Sequence, residues 1–237
     1  MEANTGKHKI ISVISHDLKD PLNAVLGIAE LLLENWDEIT EDEKLNFIED
    51  IRTSCLQTQS LLEDLLIWSK GSSNNFLTSK KNFNVTRVLE KNLEYANMSA
   101  ASHGIRIHNH VKKDIEVHAD EDMISTVLRN LITNAIKYID PGCEINISTK
   151  ILNGFCQIII SDNGYGIKDP RIIKLFNEKQ ESNGLPLPSC KKNGLGLILC
   201  KDFITRNGGK IWFESETGKG TTFYFTIPLT DLILPLG

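Results

Sequence analysis

Apolar residues recur every three or four positions through the N-terminal part of the chain. At about 100° per residue, this spacing places the apolar side chains on one side of a helix. We therefore expect one amphipathic helix from about residue 5 and a second that ends near residue 70. The apolar stripe of the first helix consists of Ile11, Ile14, Leu18, Leu22, Val25, Ala29, Leu32 and Trp36.

The second helix is predicted to begin at Thr40, because Thr40 and Glu43 have the spacing of a capping box. Only a turn fits into Asn35–Ile39, so the two helices are expected to pack as an antiparallel hairpin. Such a hairpin leaves much of its apolar surface uncovered, which predicts a homodimer with a four-helix bundle. The second stripe consists of Ile48, Ile51, Cys55, Leu62 and Leu66.

After a predicted linker at Gly71–Asn75, helical and alternating patterns are mixed. They predict an α+β or α/β layer with helices on one side of a largely antiparallel sheet. Asp120 is expected to be the N-cap of the middle helix. The predicted helices are Val85–Ala101, Glu121–Ile139 and Leu195–Arg206, and the predicted strands are Ile105–Val111, Ile115–His118, Glu144–Ile151, Phe155–Ser161, Lys210–Glu216 and Thr221–Pro228.

Composition narrows the classes of function. The 237 residues carry a formal charge of −5 and no basic stripe with interleaved aromatics, which argues against nucleic acid as the main partner. No apolar run approaches the roughly 20 residues of a membrane span, and the N-terminus lacks a signal-peptide core. Five cysteines without a C-x-x-C pair indicate reduced thiols. We therefore expect a cytoplasmic chain, with any membrane sensor lying outside it.

His16 is the first candidate for chemistry. On the helical wheel it lies away from the apolar stripe, and Pro21 is expected to kink the helix just beyond it. The carboxylate of Asp17 can orient one imidazole nitrogen and raise the basicity of the other, which is what a nucleophilic histidine requires. The alternative is an ordinary surface histidine in a kinked helix.

A second candidate lies on the predicted helix after Asp120. Asn130, Asn134 and Lys137 have i, i+4, i+7 spacing and share one face of that helix. Two amides and an ammonium group on one stripe could bind a hard cation and the phosphates that it bridges. A solvated polar face is the alternative.

Two glycine-rich segments could approach a ligand with their backbone. Asp162, Gly164 and Gly166 directly follow a predicted strand, and Gly194 and Gly196 open a predicted helix, where backbone N–H groups can bind phosphate. Neither segment is a P-loop or a dinucleotide fingerprint, and plain turns are the alternative.

Three further features of the sequence are assigned without a catalytic or metal-binding role. The long polar segment 168–193 is predicted to be a lid. His108 and His110 face the same side of a strand, but no carboxylate or cysteine in the sequence pattern completes a metal site. Lys219 is interpreted as part of a hairpin turn.

In this order, the motifs resemble those of the sensor histidine kinases of two-component signalling. The match covers residues 5–230. It consists of an H box at Ser15–Leu22, an N box at Asn130–Tyr138, a G1 box at Asp162–Gly166, an F box around Phe176, a G2 box at Asn193–Leu197 and a closing strand at Gly220–Phe223.

The resemblance implies two domains. Residues 1–72 would form the dimerisation and histidine-phosphotransfer hairpin, and residues 73–82 a linker. Residues 83–231 would form an ATP-binding α/β two-layer sandwich of the GHKL type, shared with DNA gyrase and mismatch-repair ATPases, followed by a tail at 232–237.

It also implies a reaction, in which His16 accepts the γ-phosphate of ATP and passes it to an aspartate of a response-regulator receiver domain. Asp17 would be the acid–base partner of His16. Asn134 would coordinate Mg²⁺, with Asn130 and Lys137 near the phosphates.

At the base, the resemblance implies that Asp162 recognises the exocyclic amine of adenine with help from Thr221. Tyr138 would pack near the adenine. Backbone and lid would fold over the nucleotide at Gly164, Gly166, Gly194 and Gly196, and Leu195 would complete the implied nucleotide site.

Two rival functions stay open from the sequence. One is an ATPase of the same fold whose hairpin only dimerises, and the other is a nucleotide-binding scaffold without kinase activity. Asp20 stands where the family often has Thr or Asn that supports dephosphorylation of the regulator. The sequence therefore favours phosphorylation of His16 over the reverse phosphatase reaction.

Overall fold

The computed structural model describes residues 3–72, 78–111, 114–168, 172–173, 176 and 195–230. Within these ranges, the side chains of 3–17, 57 and 70–72 are not described. The described residues fall into two compact units. Residues 3–70 and 195–196 belong to the first unit, and the other described residues belong to the second.

The first unit is helical. Helix α1 covers Ala3–Glu34 and continues through Pro21, and helix α2 covers Glu41–Ser72. Helix α2 thus includes Gly71 and Ser72, which the sequence pattern assigned to the linker. A glycine is tolerated in a last helical turn because it costs only about 1 kcal/mol there.

The capping box at the start of α2 is confirmed. The backbone N–H of Glu43 donates to Thr40 Oγ1 at 3.3 Å, and the backbone N–H of Thr40 donates to Glu43 Oε2 at 3.0 Å. The turn before it is closed by Ile39 N–H, which donates to Asn35 O at 3.1 Å. The antiparallel packing of the helices and the dimeric bundle stay predictions.

The second unit has seven strands and three helices in its described residues. In chain order these elements are β1 Lys81–Asn84, α3 Val85–Ser102, β2 Arg106–His110, β3 Glu116–Ala119, α4 Glu121–Lys137, β4 Glu144–Leu152, β5 Phe155–Asp162, α5 Leu195–Arg206, β6 Ile211–Glu216 and β7 Gly220–Pro228.

The main sheet has the order β2-β4-β5-β7-β6. Its pairs are antiparallel except β2 with β4, which are parallel, and β1 pairs with β3 in a separate two-stranded sheet. The expected largely antiparallel sheet is confirmed. The fold class, a helical region followed by an α/β sandwich, is confirmed as well.

Alternation along the strands explains where the core lies. Directly paired residues share a face of the sheet, and one face is buried while the other is partly solvated. Helix α4 is apolar on one side, and that side is buried. The buried set includes Ile124, Leu128, Leu131 and Ala135 of α4, Ile145 and Ile147 of β4, Ile158 and Ile160 of β5, and Phe223 and Phe225 of β7.

A buried asparagine joins the end of α5 to the start of α4. Asn207 Oδ1 accepts a hydrogen bond from Asp120 N–H at 2.8 Å, and Asn207 Nδ2 donates to Phe203 O at 2.8 Å. Asp120 is the predicted N-cap of α4, since its Oδ1 accepts from Met123 N–H at 3.2 Å. The cap is confirmed, and Asn207 fixes it in place from 87 residues away.

Candidate functional site

Helix α4 supplies the polar face of the candidate site. Asn130 and Asn134 are half-buried and Lys137 is exposed, whereas the opposite side of the helix is in the core. Asn130 Nδ2 donates to Thr126 O at 3.0 Å, one turn earlier, which orients the amide along the helix. The structure thus presents two half-buried amides and an exposed ammonium group on one face of the helix.

Tyr138 ends α4 as its C-cap. Its backbone N–H bonds back to the carbonyls of Asn134 and Ala135, and its side chain is about half exposed. The Lys137 ammonium lies 5.8 Å from the centroid of the Tyr138 ring. An aromatic surface therefore stands beside a positive charge at this end of the helix.

Asp162 lies at the end of β5, on the buried side of the sheet. Its Oδ1 accepts two backbone hydrogen bonds, from Gly164 N–H at 2.9 Å and from Thr221 N–H at 3.2 Å. Burial raises the pKa of this carboxyl, and the two backbone hydrogen bonds oppose that shift. The carboxylate is held firmly, and in its ionised form it can only accept hydrogen bonds.

Glycines allow the loop after Asp162 to lie close to α4. A Cβ at Gly164 would stand 2.3 Å from Ile139 Cγ2 and 3.1 Å from Tyr138 O. Gly220 has φ +103°, and a Cβ there would stand 2.0 Å from Asp162 O. The end of α4, the loop after β5 and the start of β7 therefore meet only because these positions lack side chains.

The other end of the loop rests on the β6–β7 hairpin. Gly166 has φ +76°, and a Cβ there would stand 2.5 Å from Glu216 O. Ile167 N–H donates to Ser215 Oγ at 2.7 Å. Gly218 N–H donates to Tyr165 O at 2.9 Å. These contacts hold residues 165–167 of the loop against the hairpin.

Sequence reasoning did not identify three of the residues that fix this loop. Asn163 Oδ1 accepts from Glu144 N–H at 2.8 Å, the Tyr165 hydroxyl donates to Asp140, and Ser215 accepts from the loop as described. Serine, asparagine and tyrosine in strands and turns are common. Their partners lie 19 to 48 residues away, so no local pattern marked them.

Several predicted residues are placed only in part. His16 and Asp17 lie on the backbone of α1, and their side chains are outside the described ones. Gly194 lies outside the described residues. Leu195 and Gly196 open α5, and Leu195 is buried.

The F-box aromatic Phe176 packs against the sheet. Its ring lies edge-on to Phe213, at 5.4 Å between centroids, and to Phe223, at 6.0 Å. Apart from 168, 172, 173 and 176, the positions of the predicted lid 168–193 lie outside the described residues.

The structure also shows the surroundings of Lys219 and of the β2 histidines. Lys219 lies in the β6–β7 turn, where its backbone N–H donates to Glu216 O at 3.0 Å, which confirms the predicted hairpin turn. Strand pairing brings Glu144 Oε2 to 3.5 Å from His108 Nε2, a carboxylate that the sequence did not reveal. Even so, no three His, Cys, Asp or Glu side chains form a metal cluster in the described part of the chain.

Chemically, the site combines a carboxylate acceptor, two amides, an ammonium group and a loop that admits close backbone approach. A planar base with an amino group fits the carboxylate end, and phosphates fit the amide and ammonium end. These ends belong to one compact unit.

Comparison with known families agrees with this chemistry. Residues 7–74 match the model of the His Kinase A (phospho-acceptor) domain, and residues 119–231 match that of the histidine kinase-, DNA gyrase B- and HSP90-like ATPase. The chain belongs to the sensor histidine kinases of two-component signalling.

Among individual relatives, the chain is 29% identical over 227 residues to the autoinducer 2 sensor kinase/phosphatase LuxQ of Vibrio vulnificus, covering 92% of this chain and 26% of that protein. It is 28% identical over 228 residues to the sensor histidine kinase WalK of Bacillus subtilis, covering 95% of this chain and 37% of that protein. The chain thus spans between a quarter and two fifths of these relatives' length.

Among solved structures, the histidine kinase ThkA in complex with the response regulator protein TrrA matches with a TM-score of 0.63 and 20% identity. The match covers 94% of this chain and 62% of that one, and at this identity it speaks for the fold. In the described residues, no helix is long and apolar enough to cross a bilayer.

Proposed function

We propose that this chain is an ATP-dependent protein-histidine kinase that phosphorylates His16 and passes the phosphoryl group to an aspartate of a response regulator. The observation that supports the proposal most directly is the carboxylate of Asp162. It lies on the buried side of the sheet and accepts hydrogen bonds from the backbone N–H groups of Gly164 and Thr221. It belongs to the same unit as the amide face of α4. It occurs in a chain whose N-terminal segment matches a phospho-acceptor histidine domain.

In the proposed reaction, an imidazole nitrogen of His16 attacks the γ-phosphorus of ATP. The new N–P bond forms as the bond to the bridging oxygen of ADP breaks. Asp17 would orient the ring and take the proton that the imidazole loses. Lys137 would stabilise the negative charge that develops on the transferring group. A carboxylate oxygen of the regulator then attacks the same phosphorus, which returns His16 to its free form.

Adenine would be held by Asp162 and Thr221, with Tyr138 beside the ring. Gly164 and Gly166 permit the loop to follow the nucleotide, and Gly194, Leu195 and Gly196 would do the same from the start of α5.

Mg²⁺, when bound with the nucleotide, would neutralise phosphate charge. The amide oxygen of Asn134 is the side chain that we assign to it, because amide oxygens suit this hard cation. Asn130 and Lys137 would contact the phosphates. Such an ion would take phosphate oxygens and waters as its other ligands, because Mg²⁺ retains several waters in proteins.

The hairpin would act as a homodimer. Large apolar side chains of α1 and α2 stand exposed in the single chain, which a second copy would cover in a four-helix bundle. They include Leu22, Leu26, Leu33, Leu45, Ile48, Leu62 and Leu66. We propose the boundaries 1–72 for this domain, 73–82 for the linker, 83–231 for the ATP-binding domain and 232–237 for the tail.

The proposed partner is a response-regulator receiver domain, supported by the fold match to a kinase solved with a response regulator protein. We place the reaction in the cytoplasm, where ATP is available. The described cysteines are free thiols, as expected there.

The test is incubation of the chain with γ-labelled ATP. We expect an acid-labile, alkali-stable label that His16→Gln abolishes and that a matched control, His103→Gln at an exposed histidine of the second unit, leaves unchanged. Label that persists in His16→Gln would refute the proposal. ATP hydrolysis that is indifferent to His16→Gln, without any label, would favour the simple ATPase instead.

A further inference from the structure

A hydroxyl pair lies where the nucleotide base is proposed to bind. Ser215 on β6 and Thr221 on β7 are direct register partners, and their oxygens are 3.0 Å apart. Thr221 is in turn paired with Asp162 of β5, so all three side chains lie on the buried side of the sheet. Ser215 has no place in the proposed function so far.

The neighbours of Ser215 determine where its single proton points. Ile167 N–H donates to Ser215 Oγ at 2.7 Å, which uses one lone pair. The carbonyl oxygen of Gly220 lies 3.1 Å from Ser215 Oγ and can only accept. If the serine proton pointed elsewhere, two oxygen lone pairs would face each other at that distance. Ser215 therefore donates to Gly220.

Once the proton of Ser215 is committed, the 3.0 Å contact with Thr221 has only one direction. Thr221 Oγ1 must donate to Ser215 Oγ, because each hydroxyl has one proton. Thr221 then has lone pairs and no proton to offer to a ligand. Its neighbour Asp162 already accepts two backbone N–H groups at Oδ1 and, when ionised, likewise only accepts.

We propose that Ser215 is a positioning residue for nucleotide specificity, because it turns the Thr221 hydroxyl into a pure acceptor. The inference rests on the proposed function, namely adenine nucleotide binding at Asp162 and Thr221. Two acceptors side by side select a base whose edge donates, such as the amine of adenine. They reject a base with a carbonyl oxygen at that position, since two acceptors would face it.

The experiment compares the affinities of ADP and of inosine diphosphate, in which a carbonyl replaces the amine, by calorimetry on the full chain. Diphosphates avoid phosphoryl transfer during the titration. We expect the wild-type chain to prefer ADP, and Ser215→Ala to reduce that preference roughly tenfold, about the value of one hydrogen bond, mainly through weaker ADP binding.

Two variants separate positioning from loss of structure. Ser215→Thr retains a hydroxyl and should restore the preference for ADP. Ser161→Ala removes the corresponding hydroxyl of a second pair, Ser161 with Thr222 at 2.8 Å, which lies on the opposite face of the sheet. It should leave the preference unchanged.

The outcomes distinguish this inference from the proposed function. ADP binding by the wild-type chain, together with an unchanged ratio or a parallel loss of both nucleotides in Ser215→Ala, would overturn the positioning role alone. Failure of the wild-type chain to bind ADP would overturn the adenine-nucleotide site and the inference that rests on it.

Discussion

The two units of the chain bury their apolar residues in opposite ways. In the second unit, Val127, Ile147 and Phe225 have no solvent exposure, and the sheet and its helices enclose a core of their own. In the helical unit, Leu33 is 83% exposed and Leu45 is 65% exposed, while of the described large apolar side chains only Leu32 is buried. One unit is complete as a single chain, and the other presents its apolar surface outward.

This difference matches a division of labour. A site that positions a base and phosphates needs side chains held within a fraction of an ångström, which a closed core provides. A helical surface that meets a second copy and a regulator, as we propose for the first unit, needs exposed contacts instead. We therefore expect substitutions of glycines, leucines and carboxyl groups to have different effects in the two units.

The largest contrast is expected from glycine-to-alanine changes. Gly220→Ala should destabilise the second unit by about 4 kcal/mol or more, the range of the most damaging single substitutions, because its Cβ would overlap the backbone of Asp162 at positive φ. Gly27→Ala, in helix α1 with nothing within 4 Å, should stabilise the first unit by up to about 1 kcal/mol. Amide hydrogen exchange, followed separately in β5 and β7 and in α1 and α2, measures both.

The two substitutions are expected to change the free energy of unfolding in opposite directions. Destabilisation of α1 by Gly27→Ala would contradict this expectation and mean that another part of the protein packs against Gly27. Tolerance of Gly220→Ala would mean that the start of β7 can move away from Asp162.

A smaller effect is expected on self-association. Leu22, 53% exposed, and Leu31, 41% exposed, lie on opposite sides of α1, because nine residues make two and a half turns. Leu22→Ala should weaken the dimer by about tenfold or more, since burying a leucine contributes about 1.5–3 kcal/mol. Leu31→Ala is the matched control and should change little. Sedimentation equilibrium of both variants measures the dimer dissociation constant. If both substitutions weaken the dimer equally, the dimer contact does not lie on the Leu22 side of α1.

The smallest effect is a pH dependence of opposite sign in the two units. Burial raises the pKa of Asp162 above its ordinary 3.8, so the folded chain holds that proton more tightly than the unfolded chain does. Its contribution to stability is therefore most favourable below pH 3.8 and declines as the pH rises through the raised pKa. Hydrogen bonds from Thr40 lower the pKa of Glu43 below 4.5. Its contribution is present above pH 4.5 and is lost as the pH falls through the lowered pKa.

Denaturant unfolding across this pH range, with Asp162→Asn and Glu43→Gln subtracted from the wild type, isolates the two contributions. Curves that slope in the same direction would contradict the assignment. In addition, ADP affinity should rise with pH through the raised pKa of Asp162, because only the ionised carboxyl is a pure acceptor.

Local signals were sufficient for much of the fold. The Thr40 capping box and the Asp120 cap depend on partners three residues away, and both were predicted. Periodicity placed the named helices and six of the seven strands within a few residues of their observed ends. It missed β1 at Lys81–Asn84, whose first two residues lie in the predicted linker 73–82 and whose four residues are too few to show a clear alternation. It failed at Gly71 and Ser72, where glycine and serine suggested a break and the helix continued through them.

Long-range partners lay outside the reach of the sequence. Asn207 fixes Asp120 across 87 residues, and Ser215 holds the loop after Asp162 across 48 residues. The parallel pairing of β2 with β4 could not be inferred either, because alternation marks a strand and leaves its neighbour unspecified.

For the candidate site, the sequence by itself determined the chemical groups and their order: a histidine beside an aspartate, two amides and a lysine on one helical face, and a carboxylate followed by glycines. Spacing along a helix or past a strand end is a local property, so it can be read directly from the chain. Tertiary structure decided how those groups are oriented. Only the sheet register brings Ser215 and Thr221 to Asp162. The hydrogen bonds that Thr221 donates to Ser215 and Ser215 donates to Gly220 use both hydroxyl protons, so Thr221 and Asp162 are left as hydrogen-bond acceptors.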